Sequence, residues 1–145
     1  MLVVDGLTQL TKHSAELGLN VIVENHGGLS SNGKWLKQVI ESVNLPHCGT
    51  LPDFGNFRIK DGESYDSYRG IAELMPFAKG VSVKDKVWDD KNNQSDLDFE
   101  KMLTVVLESG FRGYCGIEYG GYEGLNQSRQ RLEQARTALA EKFTK

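Results

Sequence analysis

The sequence predicts an α/β fold with four parallel strands and about five helices. Helical and strand patterns alternate along the whole chain, and the strand patterns begin near residues 21, 49, 80 and 115. The strands are short runs that are apolar on both faces, which is typical of buried parallel strands. This pattern fits either an open doubly wound sheet or half of a (β/α)₈ barrel, because a complete barrel takes about 250 residues.

The first elements are a helix, a strand and a second helix. A stripe at helical spacing over residues 7–17 predicts the first helix, and Gly18 is placed to end it as a left-handed cap. The β-branched run 21–23 is too short for a helix and predicts a strand. The second helix is expected to start at about Lys34 and to stop before Pro46.

The middle of the chain continues the alternation. Residues 48–53 predict a strand, residues 64–75 a helix, and residues 80–84 the third strand. The next segment, 85–94, is charged and rich in asparagine, so a solvated and mobile loop is expected there.

The last elements repeat the pattern once more. A fourth helix is expected to begin near a cap at Ser95 or Asp96 and to end at Gly110. Residues 114–118 predict the fourth strand, and residues 127–143 carry the helical stripe of the last helix. All of residues 1–145 are therefore expected to form a single domain.

Composition excludes several classes of protein. The chain has 17 Lys and Arg against 20 Asp and Glu, a formal net charge of −3, which argues against a nucleic-acid-binding surface. No apolar run approaches the roughly 20 residues that cross a membrane. Two cysteines, Cys48 and Cys115, are too few for a disulfide framework, so we expect reduced thiols in a cytoplasmic protein.

The residues with chemical potential lie at the ends of the strands. Three of the four strands end in a carboxylate, namely Glu24, Asp53 and Glu118. Because active sites of parallel α/β folds gather at the carboxyl ends of the strands, these side chains are expected to converge. Converging carboxylates repel one another unless a cation neutralises them, and oxygen ligands favour Mg²⁺ or Mn²⁺ over Zn²⁺.

Other interpretations of these residues stay open at this point. A single carboxylate at a strand end is often a helix N-cap. His26 lies two residues after Glu24, so it is either a ligand or substrate contact, or a histidine satisfied by its own loop. Lys84 shares a strand face with Ser82, where its ammonium would bind a substrate oxygen or pair with a neighbouring carboxylate.

Four segments resemble a known family when they are taken together. They look like the C-terminal half of the xylose isomerase-like TIM barrels, a superfamily of sugar isomerases and sugar phosphate epimerases: VIVENHGG (21–28), LPDFGNF (51–57), GVSVKDK (80–86) and GYCGIEYGG (113–121). The resemblance covers nearly the whole chain and keeps the order of the motifs. It implies a half (β/α)₈ barrel equivalent to strands five to eight of the complete fold.

The resemblance also implies a site and a reaction. Metal-dependent members hold a divalent cation at these strand ends, which assigns Glu24, Asp53 and Glu118 as ligands of Mn²⁺ or Mg²⁺. The two glutamates would also be the acid–base pair that moves a proton next to a carbonyl through an enediolate, with Lys84 as a further catalytic residue. His26, Asn56 and Ser82 would contact the substrate, a small carbohydrate-like molecule.

The sequence departs from the family pattern at two positions. Ser82 stands where the family has a metal-binding histidine, and Asn56 stands where it has a histidine that contacts substrate. The chain also lacks the first four βα units, so a homodimer or other oligomer is expected to cover the exposed sheet edges. The sequence thus supports a sugar isomerase or epimerase, with a non-catalytic half-barrel that binds a ligand or partner as the alternative.

Overall fold

The computed structural model describes residues 2–119 and 121–143 of the chain. Its five helices are α1 (Leu2–Glu16), α2 (Gly33–Val43), α3 (Ser67–Leu74), α4 (Phe99–Glu108) and α5 (Tyr122–Phe143). Its strands are β1 (Val21–Glu24), β2 (Cys48–Leu51), β3 (Arg58–Lys60), β4 (Glu63–Ser64), β5 (Val81–Val83), β6 (Lys86–Trp88), β7 (Gln94–Asp96) and β8 (Cys115–Ile117). The predicted order of helices and parallel strands is confirmed.

Four of the strands form the predicted parallel sheet. β1 pairs with β2, and β5 pairs with β8, both in parallel. The two pairs are joined by a parallel bridge between Asp53 and Ser82, where the Phe54 amide donates to the Ser82 carbonyl at 3.1 Å. The spatial order is therefore β1-β2-β5-β8, the curved wall of half a barrel, and within residues 2–119 and 121–143 the sheet does not close on itself.

The helices begin and end where local chemistry places their caps. Asn32 caps α2 by accepting from the Trp35 amide, and Asn44 ends that helix in the left-handed region at φ 45°. Asp66 caps α3 in the same way. The last helix starts at Tyr122 rather than near residue 127, so it is longer than its apolar stripe alone predicts.

Two antiparallel hairpins extend the carboxyl ends of the sheet, and the sequence pattern missed both. β3 pairs with β4, and β6 pairs with β7. The expectation of a mobile loop over 85–94 was wrong, because Val87 is buried and anchors the second hairpin to the core. Ser95 and Asp96 lie in β7 instead of capping a helix, and Asp98 caps α4 by accepting from the Lys101 amide.

The core lies between the helices and the outer face of the sheet. Its fully buried large side chains include Phe54, Phe57, Leu36, Ile71, Leu74 and Met102. The opposite face, which would line the interior of a complete barrel, carries Ile22 with 42% of its surface exposed. The exposure is confined to the edge strands, because the central strands β2 and β5 are buried along almost their whole length.

Both cysteines are free thiols in the structure, with Cys48 buried and Cys115 partly buried. Burial raises the pKa of the Cys115 thiol above its ordinary value. A cytoplasmic location stays a prediction from these unpaired cysteines. No helix in the described part of the chain is long and apolar enough to span a membrane.

Close packing at Gly70 gives a testable consequence for the fold. A Cβ added at Gly70 in α3 would lie 2.1 Å from the buried ring of Phe57. Gly70→Ala is therefore expected to lower the free energy of unfolding by about 1–3 kcal/mol in urea titrations. Gly6→Ala in α1 is the matched control, since a Cβ there meets nothing within 4 Å and alanine favours a helix. Equal stability of the two variants would contradict the packing at Phe57.

Candidate functional site

Three strands deliver one carboxylate each to a single point at the carboxyl end of the sheet. Glu24 is the last residue of β1, Asp53 follows β2, and Glu118 follows β8. One carboxylate oxygen from each of the three side chains lies within 4.8 Å of the other two. These are the three predicted metal ligands, and the register of the parallel strands brings them together.

Asp53 is the most deeply buried member of the group, with no exposed surface. Its Oδ1 atom accepts hydrogen bonds from the Gly55 and Asn56 amides, both at 2.9 Å. Its Oδ2 atom is also buried but has no hydrogen-bond partner. Burial raises the pKa of Asp53, against the opposing effects of the Ser82 hydroxyl and the Lys84 ammonium. The Lys84 ammonium lies 3.7 Å from this oxygen, whose setting is suited to a positive charge.

Lys84 places a positive charge among the carboxylates. Its Nζ atom donates to Asn56 Oδ1 at 2.9 Å and lies 3.1 Å from Glu118 Oε1 and 3.7 Å from Asp53 Oδ2. This contact with Lys84 is the main reason that the pKa of Glu118 is lowered. Of the two roles that the sequence leaves open for Lys84, the structure shows the pairing with carboxylates.

The predicted substrate contacts lie beside the carboxylates. The Ser82 hydroxyl donates to Glu118 Oε2 at 3.4 Å, and Asn56 Nδ2 donates to Glu24 Oε1 at 3.3 Å. His26 is exposed, and its backbone amide donates to Ser30 Oγ at 2.9 Å. The strand ends therefore bring together every residue assigned to the site from the sequence, with their chemical roles still predictions.

The donor set fits a hard divalent cation. In an octahedral Mg²⁺ site with ligand distances of about 2.1 Å, opposite oxygens lie about 4.2 Å apart. Oxygens of Glu24, Asp53 and Glu118 already lie within 4.8 Å of one another, so a small inward movement would bring them into range. All three donors are carboxylate oxygens, a set that favours Mg²⁺ or Mn²⁺ over Zn²⁺.

Asn25 supports the site and was missed by the sequence analysis. It is fully buried, and its side chain bonds both backbone groups of Asp53: Nδ2 donates to the carbonyl at 2.9 Å and Oδ1 accepts from the amide at 2.8 Å. Nδ2 also lies 3.2 Å from the Asn56 carbonyl oxygen. The signal available in the sequence was a carboxamide directly after the carboxylate that ends a buried strand.

Removal of the Asn25 side chain is expected to cost stability. Asn25→Ala would leave the buried amide and carbonyl of Asp53 without partners, so the free energy of unfolding should fall by about 2–4 kcal/mol. Asn20→Ala is the control, because Asn20 is exposed and its side chain bonds the half-buried ring of His47. Urea unfolding of both variants measures the difference, and a small loss in Asn25→Ala would mean that water replaces the amide.

A cavity of about 670 Å³ opens beside the carboxylate cluster, with Glu118 in its lining and Glu24 and Asp53 outside it. Its lining residues come from the strand ends and from the two hairpins: His26, Gly27, Gly55, Asn56, Arg58, Lys84, Asp85, Lys86, Trp88, Gln94, Glu118 and Tyr119. The volume suits a small polar molecule. The hairpins supply Arg58, Lys86, Trp88 and Gln94, none of which the sequence analysis assigned to the site.

Several solved structures share the fold of this chain. A xylose isomerase-like TIM barrel protein from Mycobacterium smegmatis, solved in complex with magnesium, matches with a TM-score of 0.72 at 17% identity over 95% of this chain and 49% of that one. A xylose isomerase domain protein from Planctomyces limnophilus matches with a TM-score of 0.70 at 23% identity, over 97% and 52% of the two chains. The 3-keto-D-glucoside 4-epimerase of E. coli gives 0.65 at 17% identity, over 92% and 52%.

These structural matches establish the fold. The chain spans about half the length of each of the three structures. No curated protein matches the sequence. The family model of the xylose isomerase-like TIM barrel matches residues 1–142, almost the entire chain. The chain therefore belongs to the xylose isomerase-like TIM barrel family.

Proposed function

We propose that the protein is a divalent-metal-dependent isomerase or epimerase of a small hydroxy-carbonyl compound such as a sugar or a sugar phosphate. The observation that carries the proposal is the convergence of three carboxylates, of which Asp53 has a buried oxygen without a hydrogen-bond partner. Membership of the family supports it, since similar structures include an epimerase and a probable dehydratase. Glu24, Asp53 and Glu118 would hold Mn²⁺ or Mg²⁺.

A bound cation would polarise the substrate carbonyl and acidify the adjacent C–H bond. Glu24 and Glu118 come from opposite edges of the sheet, β1 and β8, so they can approach a substrate from two sides. One carboxylate removes the proton from the carbon next to the carbonyl, and the other returns a proton to the carbon skeleton. The lowered pKa keeps Glu118 ionised, which is the form that a base and a metal ligand require, and the contact with Lys84 makes it a weaker base than a free glutamate.

The remaining site residues would hold the substrate. Lys84 and Asn56 are hydrogen-bonded to each other at the floor of the cavity, where they can bind the oxygens that flank the reacting carbon. His26 lines the same cavity from the β1 side. Ser82 lies beneath Glu118, on the face that would line the barrel interior, and orients that carboxylate.

The test measures metal binding and proton exchange separately. Mn²⁺ binding is followed by electron paramagnetic resonance, and substrate proton exchange by mass spectrometry in D₂O with Mg²⁺ and a panel of ketoses, aldoses and their phosphates. We expect one bound ion per site and deuterium uptake at the carbon next to the carbonyl. Glu118→Gln should slow the exchange by about 100-fold or more. Glu133→Gln on the exposed face of α5 should change neither quantity. A chain that binds no metal would contradict the proposal.

A second function is favoured by one residue. Ser82 stands where the family resemblance implies a metal-binding histidine, and its hydroxyl bonds Glu118. A non-catalytic half-barrel that binds a ligand or a partner needs no fourth metal ligand. Metal or sugar binding without deuterium uptake across the whole panel would favour this alternative over the enzyme.

We also propose that a second copy of the chain covers the inner face of the sheet. β1 and β8 are the two edges of the parallel sheet, and Ile22 on the interior face is 42% exposed. A two-fold dimer in which β8 of each copy pairs with β1 of the other would give eight strands and remove both edges. Light scattering should then give twice the chain mass of 16.2 kDa, and a well-folded species at that single mass would contradict the dimer.

A further inference from the structure

Two cations at the cavity wall have no part in the metal centre. Arg58 of β3 and Lys86 of β6 line the same cavity as Lys84. The acidic residues that line it are Asp85 and Glu118, and Glu118 is already paired with the Lys84 ammonium at 3.1 Å. The wall built by the hairpins is therefore richer in positive than in negative charge.

The structure holds these cations in place through contacts between the hairpins. The guanidinium of Arg58 lies 5.8 Å from the centre of the Trp88 ring, within the range of a cation–π contact. Lys86 and Trp88 are two residues apart on β6 and therefore share one face of that strand. Ser64 Oγ of β4 donates to the Asp89 carbonyl at 2.6 Å and so joins the two hairpins. The Trp88 amide donates to Ser67 Oγ at 2.9 Å, which ties β6 to the start of α3.

The acidic partners of the two cations are exposed and easily replaced. Arg58 pairs with Asp61, whose side chain is 98% exposed, and Lys86 pairs with Asp96, which is 64% exposed. Neither aspartate lines the cavity. Exposed ion pairs contribute little free energy. An anion that enters the cavity can therefore displace the two aspartates from Arg58 and Lys86 with little loss of stability.

We propose that Arg58 and Lys86 form an anion subsite at the outer wall of the cavity. Given the proposed function, which this inference deepens, the substrate is a hydroxy-carbonyl compound that carries a carboxylate or a phosphate group away from its carbonyl. A guanidinium binds either group through two parallel hydrogen bonds, and the Lys86 ammonium adds a second charge.

The first experiment tests the subsite alone, without metal. Inorganic phosphate is titrated into the full chain in EDTA, and binding is followed by amide chemical shifts in ¹⁵N spectra. We expect shifts in β3 and β6, with affinity lowered about tenfold in Arg58→Gln and in Lys86→Gln. Arg129→Gln and Lys60→Gln are matched controls, because each removes an exposed cation from an ion pair with a glutamate outside the cavity. Equal affinity in all four variants would overturn the proposal.

The second experiment identifies the anion. D-glucose 6-phosphate, D-glucuronate and D-glucose are compared as ligands of the same sample. Tighter binding of the phosphate or of the glucuronate than of glucose supports the subsite and assigns its group, whereas equal binding of all three overturns it. Mn²⁺ binding is measured in parallel. Phosphate binding in a chain that binds no Mn²⁺ would contradict the proposed function while the anion subsite stands.

Discussion

Asp53→Asn is expected to weaken Mn²⁺ binding by about 100-fold or more, because it removes the negative charge of a proposed ligand. The same substitution is expected to stabilise the metal-free chain by about 1 kcal/mol at pH 7. One substitution would then lower metal affinity and raise the stability of the metal-free chain.

The gain in stability follows from the burial of Asp53, whereas the loss of metal affinity follows from the missing charge. Burial raises the pKa of this carboxyl above its ordinary value, so the folded protein favours the neutral form more than the unfolded chain does. At pH 7 the ionised side chain therefore lowers the free energy of unfolding. Asparagine is neutral and keeps an Oδ1 acceptor for the Gly55 and Asn56 amides, so the substitution removes the cost and retains both hydrogen bonds.

Thermal unfolding in EDTA and Mn²⁺ titration by electron paramagnetic resonance measure the two effects on the same sample. Asp90→Asn is the matched control, because Asp90 is exposed in the turn between β6 and β7 and should alter neither value. A metal-free Asp53→Asn protein that unfolds at a lower temperature than the wild type would contradict the argument. It would mean that attraction to Lys84 outweighs the cost of burial at this position.

The strand ends show how much of this site the sequence could predict. A buried parallel strand is a short apolar run. The first polar residue after such a run therefore lies at the carboxyl edge of the sheet. Glu24, Asp53 and Glu118 were therefore placed from local pattern alone, and their convergence follows from the parallel register. The curvature that gives half a barrel was predicted through the family resemblance.

The parts that escaped prediction depend on contacts between distant segments. Asn25 is an unremarkable polar residue in the sequence, yet it is buried because its amide completes the backbone hydrogen bonds of Asp53, 28 positions away. The segment that holds β6 and β7 has the composition of a loop. It becomes a hairpin because Val87 reaches the core and Ser64 bonds the Asp89 carbonyl, and neither contact has a local signature.

Ser82 and Lys84 determine how the negative charge of the carboxylate cluster is balanced. At the position where the resemblance implies a histidine, Ser82 contributes only a hydroxyl that bonds Glu118. Lys84 supplies the positive charge instead, within 3.7 Å of both Asp53 and Glu118. The ammonium thus neutralises part of the carboxylate cluster, and a divalent cation would have to compete with it.

Lys84→Met is therefore expected to tighten Mn²⁺ binding by about 10-fold to 100-fold, since it removes a repelling charge next to the ligand oxygens. The metal-free variant should lose about 1.5–3 kcal/mol of stability, because Glu118 and Asn56 lose a charged hydrogen-bond partner. Added Mn²⁺ should restore that loss, and deuterium uptake by a substrate should still fall if Lys84 contacts the reacting molecule. The measurements are Mn²⁺ titration and thermal unfolding with and without the ion.

Lys60→Met is the control for Lys84→Met, because Lys60 forms an exposed pair with Glu63 and does not line the cavity. Its metal affinity should match that of the wild type. Weaker Mn²⁺ binding in Lys84→Met would reverse the interpretation and show that the ammonium orients the carboxylates for the metal. Tighter binding would show that Lys84 takes the place of the histidine that the resemblance implies, and that its charge lowers metal affinity while it keeps the carboxylates together in the metal-free protein.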